Sequence, residues 1–304
     1  MDSQLGMVNK MIEIKGIIPA VITPFDDNQM ISELATRKHI ENLIEKGVHG
    51  IFILGTNGEF HVLSEDEKIE YAKIVIDQVN KRVPVYVGAG ACGTIETIRL
   101  AKRLEEIGAD ALSVISPYFL APTQDELVEH YEMVAKSVNI PIILYNIPKN
   151  TGVNIAPKTV EKLSIVKNIV AIKDSSGDME NLKGYVEAGK ANNVKVLVGS
   201  DSKIYEALML GAVGAIAGTA NVITAHDIDL YNAVMNGENE KAVKLQKDID
   251  VLRGVLKLGT VPSVIKRAVT LLGNDVGDAR FPVSKLSVES DAEITEALKF
   301  YNLI

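Results

Sequence analysis

Eight short apolar runs recur along this chain, each followed by enough residues for one helix, and that rhythm limits the folds open to it. The runs begin near Ile17, Gly50, Pro84, Ala111, Pro141, Ile169, Val194 and Gly214. Several are rich in β-branched residues and read as parallel strands buried on both faces. Amphipathic stretches separate them. After Ser64, residues Ile69, Ala72, Ile76 and Val79 recur at helical spacing and define an apolar face. Ser64 with Glu67, and Thr123 with Glu126, have the spacing of capping boxes. The second box opens a helix expected to turn Leu127, Tyr131, Val134 and Val138 inward. Thr94 starts another, with Ile95, Ile98, Ala101 and Leu104 expected inward. Eight β–α alternations favour an α/β fold of the closed (β/α)8 type, a TIM barrel; an open doubly wound sheet is the alternative. The strand rhythm stops after about Met235. The expected division is a barrel over 12–236 and a C-terminal helical segment over 237–304, with helices around Ala242–Leu256, Val264–Leu272 and Ala292–Tyr301.

Composition narrows the function classes. The net charge is −8 and there is no long basic run, which argues against nucleic-acid binding. No stretch reaches the roughly 18 apolar residues of a membrane helix. Met1 to Lys10 lack an apolar signal core and are expected to form a loose arm, so a soluble cytoplasmic protein is expected. Cys92 is the only cysteine, which precludes an intrachain disulfide and suits a reducing compartment. Taken alone, it reads as a small buried hydrophobe. The five histidines form no H-E-x-x-H pair, so neither a metal nor an organic cofactor is expected.

In barrel enzymes the reactive groups sit at the C-terminal ends of the strands. The sixth run, Ile169-Val170-Ala171-Ile172-Lys173-Asp174, delivers a lysine there. Desolvation disfavours an ammonium, and a neutral amine is what imine formation with a keto acid requires. Alone, Lys173 reads more readily as a strand-end lysine reaching for water, and only the neighbouring segments reverse that reading. The fifth run ends in Tyr145-Asn146-Ile147-Pro148, and alternation would aim Tyr145 into the barrel mouth as a proton carrier. The second ends in Gly55-Thr56-Asn57-Gly58-Glu59, where backbone N–H groups and two polar side chains suit a carboxylate. The seventh and eighth end in Gly199-Ser200-Asp201 and Gly218-Thr219-Ala220-Asn221, whose small residues leave room for a ligand.

Together these segments resemble the dihydrodipicolinate synthase / N-acetylneuraminate lyase family. The marks are G-T-N-G-E at 55–59, S-P-Y at 116–118, Y-N-I-P-x-N-T-G at 145–152 and I-K-D-S-S-G at 172–177. The resemblance implies a (β/α)8 barrel with a C-terminal helical segment, assembled as a homotetramer or homodimer. It also implies a pyruvate Schiff base on Lys173. Tyr145 matches the proton-transferring tyrosine, Thr56 and Asn57 match the grip on the pyruvate carboxylate, and Ile216 matches the apolar residue beside the keto acid.

The chain departs from the synthases of that family in three respects. Asn150 stands where they carry an arginine that clamps the aldehyde's carboxylate, and Lys149 beside it is expected to point elsewhere. Phe119 stands where they carry a relay tyrosine, and Tyr118 is one residue out of phase. The inhibitor-lysine positions correspond to Glu65, Lys68 and Cys92, which match poorly, leaving only Glu96 and Tyr118. Asn57 with Asn150 resembles the branch that cleaves 2-keto-3-deoxy sugar acids or 4-hydroxy-2-oxoglutarate to pyruvate and an aldehyde, and that activity is expected. The alternatives are 4-hydroxy-tetrahydrodipicolinate synthase, which condenses pyruvate with aspartate semialdehyde, and a non-catalytic keto-acid sensor.

Overall fold

The computed structural model describes residues 12–304, so the arm expected over Met1–Lys10 lies outside the described residues. Eight strands form one parallel sheet: β1 (Gly16–Pro19), β2 (Ile51–Ile53), β3 (Val85–Gly88), β4 (Ala111–Ile115), β5 (Ile142–Asn146), β6 (Ile169–Asp174), β7 (Lys195–Val198) and β8 (Gly214–Ala217). Their order is β1-β8-β7-β6-β5-β4-β3-β2. The two end strands also meet. Val21 N donates to Phe52 O at 2.8 Å and His49 N to Ile17 O at 2.9 Å. The sheet is therefore a nearly closed (β/α)8 barrel, and closure satisfies the backbone groups that an edge strand would expose.

Strand parity sorts the apolar residues into two sets. Ile18, Phe52, Tyr86, Ala111, Ile143, Ala171, Leu197 and Ile216 share one buried cluster and fill the bore. Their neighbours in sequence, such as Ile17, Ile53, Val87, Leu112, Leu144 and Ile172, pack outward with the helices. A strand buried on both faces has no polar parity, which is why these segments read as continuous apolar runs.

Both capping boxes are present. Ser64 Oγ accepts from Glu67 N at 3.2 Å while Glu67 Oε2 accepts from Ser64 N at 2.7 Å. Thr123 and Glu126 repeat the arrangement. In helix Glu65–Val79, Ile69, Ala72 and Val79 are buried and Ile76 is half-buried, while Tyr71 and Val75 complete the inner face. Helix Thr94–Glu106 corrects one expectation. Ile95 is 73% exposed, and the inner face is instead Thr97, Leu100, Ala101 and Leu104, spaced i, i+3, i+4, i+7. Cys92 also departs from expectation, since it is exposed.

Gly88-Ala89-Gly90-Ala91-Cys92-Gly93, between β3 and that helix, has the G-x-G-x-x-G spacing of a dinucleotide turn. Packing explains the first two of its glycines. A Cβ at Gly88 would collide with the Leu54 carbonyl, and one at Gly90 with Ile115. A closed barrel also lacks the switch point of an open sheet where a dinucleotide would lie.

Helix Thr224–Met235 completes the eighth unit, and helices Asn239–Val255, Ser263–Leu271 and Val288–Phe300 follow it. Among the described residues no helix is long and apolar enough to cross a membrane.

Candidate active site

Tyr145 and Lys173 are register partners on β5 and β6. Each lies two residues beyond a bore residue, Ile143 and Ala171, so the strand period aims both side chains into the C-terminal end of the barrel. They are 4% and 3% exposed. Lys173 Nζ lies 4.1 Å from the centroid of the Tyr145 ring and 4.5 Å from that of Phe52. These two rings meet edge to face at 87°. A Cβ at Gly199, just past β7, would approach Lys173 Cε to 2.9 Å and collide with Ser175 Oγ. Glycine there gives the lysine stem its channel. Burial pushes the Lys173 ammonium below its ordinary pKa of 10.5, and the nearby Tyr145 and Asp201 partly oppose the shift.

The loop after β2 brings up the polar groups. Thr56 Oγ1 lies 3.3 Å from Tyr145 Oη, within reach of a hydroxyl–hydroxyl contact. Thr56 and Asn57 are half-buried, so they stand between the bore and solvent. The Asn57 side-chain nitrogen lies against Gly218, just past β8, where a Cβ would come within 2.8 Å. Ile216, two residues earlier, is buried in the bore. The structure thus gathers Lys173, Tyr145, Thr56 and Asn57 at the ends of β6, β5 and β2, with Ile216 on β8.

Residues of the opposite parity brace this end from outside. Asn146 Nδ2 donates to Asp174 Oδ1 at 2.9 Å and to Asn154 Oδ1 at 2.8 Å, while Asn146 Oδ1 accepts from Ile155 N at 2.9 Å. These bonds fix the segment that carries Lys149 and Asn150, both exposed on the short helix Pro148–Thr151. Asp201 is buried, and its carboxylate accepts from Gly218 N and Thr219 N at 3.1 Å each. Arg253, from helix Asn239–Val255, lies 3.7 Å from it.

Phe119 is 92% exposed with a φ of 81°, whereas Tyr118 is half-buried and edge-on to Phe60. Adjacent residues in this segment do point apart. Glu65 is held by Arg99 and Arg103 at 2.6 Å each, and Lys68 lies over the Phe60 ring.

Phe52, Gly199 and Asp201 belong to this constellation although the sequence did not single out their parts in it. Strand parity would have flagged Phe52, as it flags Tyr145. Nothing local distinguishes Gly199 from an ordinary turn glycine. Among the described residues no cluster of three or more His, Cys, Asp or Glu could hold a metal.

The chemistry open to such an arrangement is attack by a desolvated amine, with a phenol and a hydroxyl at hand to move protons. The fold and site define a barrel enzyme with a lysine at its mouth. The dihydrodipicolinate synthetase family model matches residues 13–301, and the chain belongs to that family. It is a lyase of the pyruvate-dependent class I aldolase type. It is 39% identical to a 4-hydroxy-tetrahydrodipicolinate synthase from Syntrophus aciditrophicus, over 95% of this chain and 99% of the relative. It is 37% identical to a synthase of the same name from Methanothrix thermoacetophila, over 93% and 96%. A dihydrodipicolinate synthase from Acinetobacter baumannii, solved with pyruvate, superposes with a TM-score of 0.92 at 33% identity, over 96% of this chain and all of the other.

Proposed function

We propose that the protein forms an imine between Lys173 and pyruvate and joins the derived enamine to aspartate semialdehyde, giving 4-hydroxy-tetrahydrodipicolinate. The observation that carries the imine step is the buried Lys173 amine beside Tyr145, whose hydroxyl meets Thr56 at 3.3 Å. The synthase names of the two relatives, matched over more than nine-tenths of each chain, favour this partner over the keto-deoxy acid cleavage expected from Asn57 and Asn150.

Neutral Lys173 attacks C2 of pyruvate while Thr56 and Asn57 hold the carboxylate, so binding supplies the orientation. Tyr145 passes a proton to the new hydroxyl, and water leaves as the imine forms. The protonated imine draws electrons from C3, whose proton returns to the Tyr145 oxygen and leaves an enamine. Ile216 forms an apolar wall beside the keto acid. The enamine carbon attacks the aldehyde, and the semialdehyde's own amine then displaces Lys173 and closes the ring. No external cofactor takes part.

Asn150 favours a second reading. An amide cannot supply the planar bidentate charge that an arginine offers a carboxylate. On that reading the same imine serves reversible cleavage of a 2-keto-3-deoxy sugar acid or 4-hydroxy-2-oxoglutarate. We also propose a homo-oligomer, a tetramer or dimer, to be read as a multiple of 32.9 kDa by light scattering.

The test has two stages. Protein mixed with pyruvate and borohydride is mapped by peptide mass, with an adduct on Lys173 expected. Wild-type protein is then assayed with pyruvate plus aspartate semialdehyde, and separately for pyruvate release from the keto-deoxy acids. Adduct formation with semialdehyde consumption supports the synthase. Adduct formation with pyruvate release alone selects the second reading, and no adduct from folded protein removes both.

A further inference from the structure

A buried ion pair joins the loop after β2 to the C-terminal segment. Lys266, on helix Ser263–Leu271, and Glu59, at the end of that loop, are each 1% exposed. Lys266 Nζ lies 2.8 Å from Glu59 Oε1. The same ammonium donates to the Asp278 carbonyl at 2.9 Å and sits 4.1 Å from the centroid of Phe25. The other Glu59 oxygen accepts from Arg280 N at 2.8 Å.

The loop itself is strained. Leu54 and Glu59, neither of them glycine, have φ of 56° and 55°. Such conformations cost roughly 1 kcal/mol or more each and persist only where the surroundings over-determine them. Glu59 N also donates to the Thr56 carbonyl at 3.1 Å, so the residue anchored by Lys266 holds the backbone of the residue that meets Tyr145. Thr23 Oγ1 fixes the Gly58 carbonyl at 2.7 Å between them.

Stability does not account for the pair. Replacing a buried ion pair by apolar residues of similar volume is often neutral or stabilising, whereas removing one partner strands a buried charge. What this pair does specify is the path of a strained backbone. Burial lowers the Lys266 pKa to about 8, a fall that Glu59 and Asp278 limit and Arg280 deepens.

We propose that Lys266 is a positioning residue, which through Glu59 holds Thr56 and Asn57 in the geometry that grips the pyruvate carboxylate. The inference rests on the imine reading above. It makes the C-terminal segment part of substrate recognition, although Lys266 is not itself assigned any contact with substrate.

The test compares two ketones. Pyruvate has the carboxylate and acetone lacks it, yet both form imines with an amine. Borohydride trapping rates on Lys173 are measured with each, for wild type, Lys266→Met and the double variant Glu59→Gln/Lys266→Met. The double variant strands no charge and remains informative where the single variant fails to fold. A misplaced carboxylate grip predicts a fall of about 10- to 100-fold in pyruvate trapping, with acetone trapping little changed, in every folded variant. The loss appears as a raised half-saturating pyruvate concentration rather than a lower limiting rate. Equal losses with both ketones, or an unchanged pyruvate-to-acetone ratio, overturn the inference. Wild type that traps neither ketone overturns the imine reading itself, and this inference with it.

Discussion

Lys173 and Tyr145 owe their positions to parity, and parity also separates them from their sequence neighbours. Ile172 and Leu144 face the helices, while Asp174 and Asn146 join the outer bracing network. A shift of one residue in either strand would exchange the reacting groups for the bracing ones. The two residues have separable parts in the proposed chemistry. Tyr145→Phe retains the ring over Nζ and removes only the hydroxyl. It is expected to slow formation of the pyruvate adduct on Lys173 without abolishing it, and to lower turnover by about 10²- to 10⁴-fold, the range for a lost general acid–base group. An unchanged turnover in steady-state assay would remove Tyr145 from the proton path. Because burial lowers the Lys173 pKa, the trapping rate should rise with pH through a midpoint below 10.5.

Elements were legible where a local rule determines them. Ser64 and Thr123 announce their helices because capping is settled within four residues. The strand ends were legible because a buried parallel strand is an uninterrupted apolar run, and the residue that breaks the run marks the mouth. The inner face of helix Thr94–Glu106 was misplaced at Ile95, because hydrophobicity marks an inner face only where the neighbouring elements require burial. Contacts between distant elements were not legible. Lys266 looks like any helical lysine until its partner, 207 positions earlier, is in place. Gly199 is hidden in the same way, since its meaning depends on a side chain from the next strand. Gly199→Ala is therefore a test at the level of two adjacent strands. The new methyl must displace the Lys173 stem or Ser175, and pyruvate trapping should fall at least about tenfold with a misplaced amine. Trapping at the wild-type rate, in protein with unchanged circular dichroism, would show that the channel is wider than the geometry implies.

The barrel as a whole is held shut by contacts that link the first unit to the last. His39, in helix Glu33–Glu45, is 2% exposed, and its Nε2 lies 3.1 Å from Asn221 Oδ1, just past β8. That oxygen also accepts from Ile22 N at 3.2 Å, and Asn221 Nδ2 donates to the Ala20 and Gly218 carbonyls at 2.8 and 2.9 Å. An oxygen that must accept from both makes His39 the donor, with the proton on Nε2. Burial lowers the His39 pKa from 6.5 to about 4. The unfolded chain then binds more protons than the folded one between those values. Stability from neutral His39 is complete above pH 6.5 and is lost as the pH falls toward 4. The full loss is on the order of 3 kcal/mol. His130, also lowered to about 4 by burial, acts in the same direction. Asp201 and Asp227 act in the opposite one, because burial raises their pKa values and acid relieves their charge. The net pH slope of the wild type therefore mixes opposing contributions, and His39→Gln isolates one of them. Urea unfolding at pH 7, 5.5 and 4.5 should show the stability gap between wild type and His39→Gln narrowing as the pH falls. A gap that stays constant across that window would mean that His39 is protonated alike in the folded and unfolded chain, and that the seam between the first and last units opens to water.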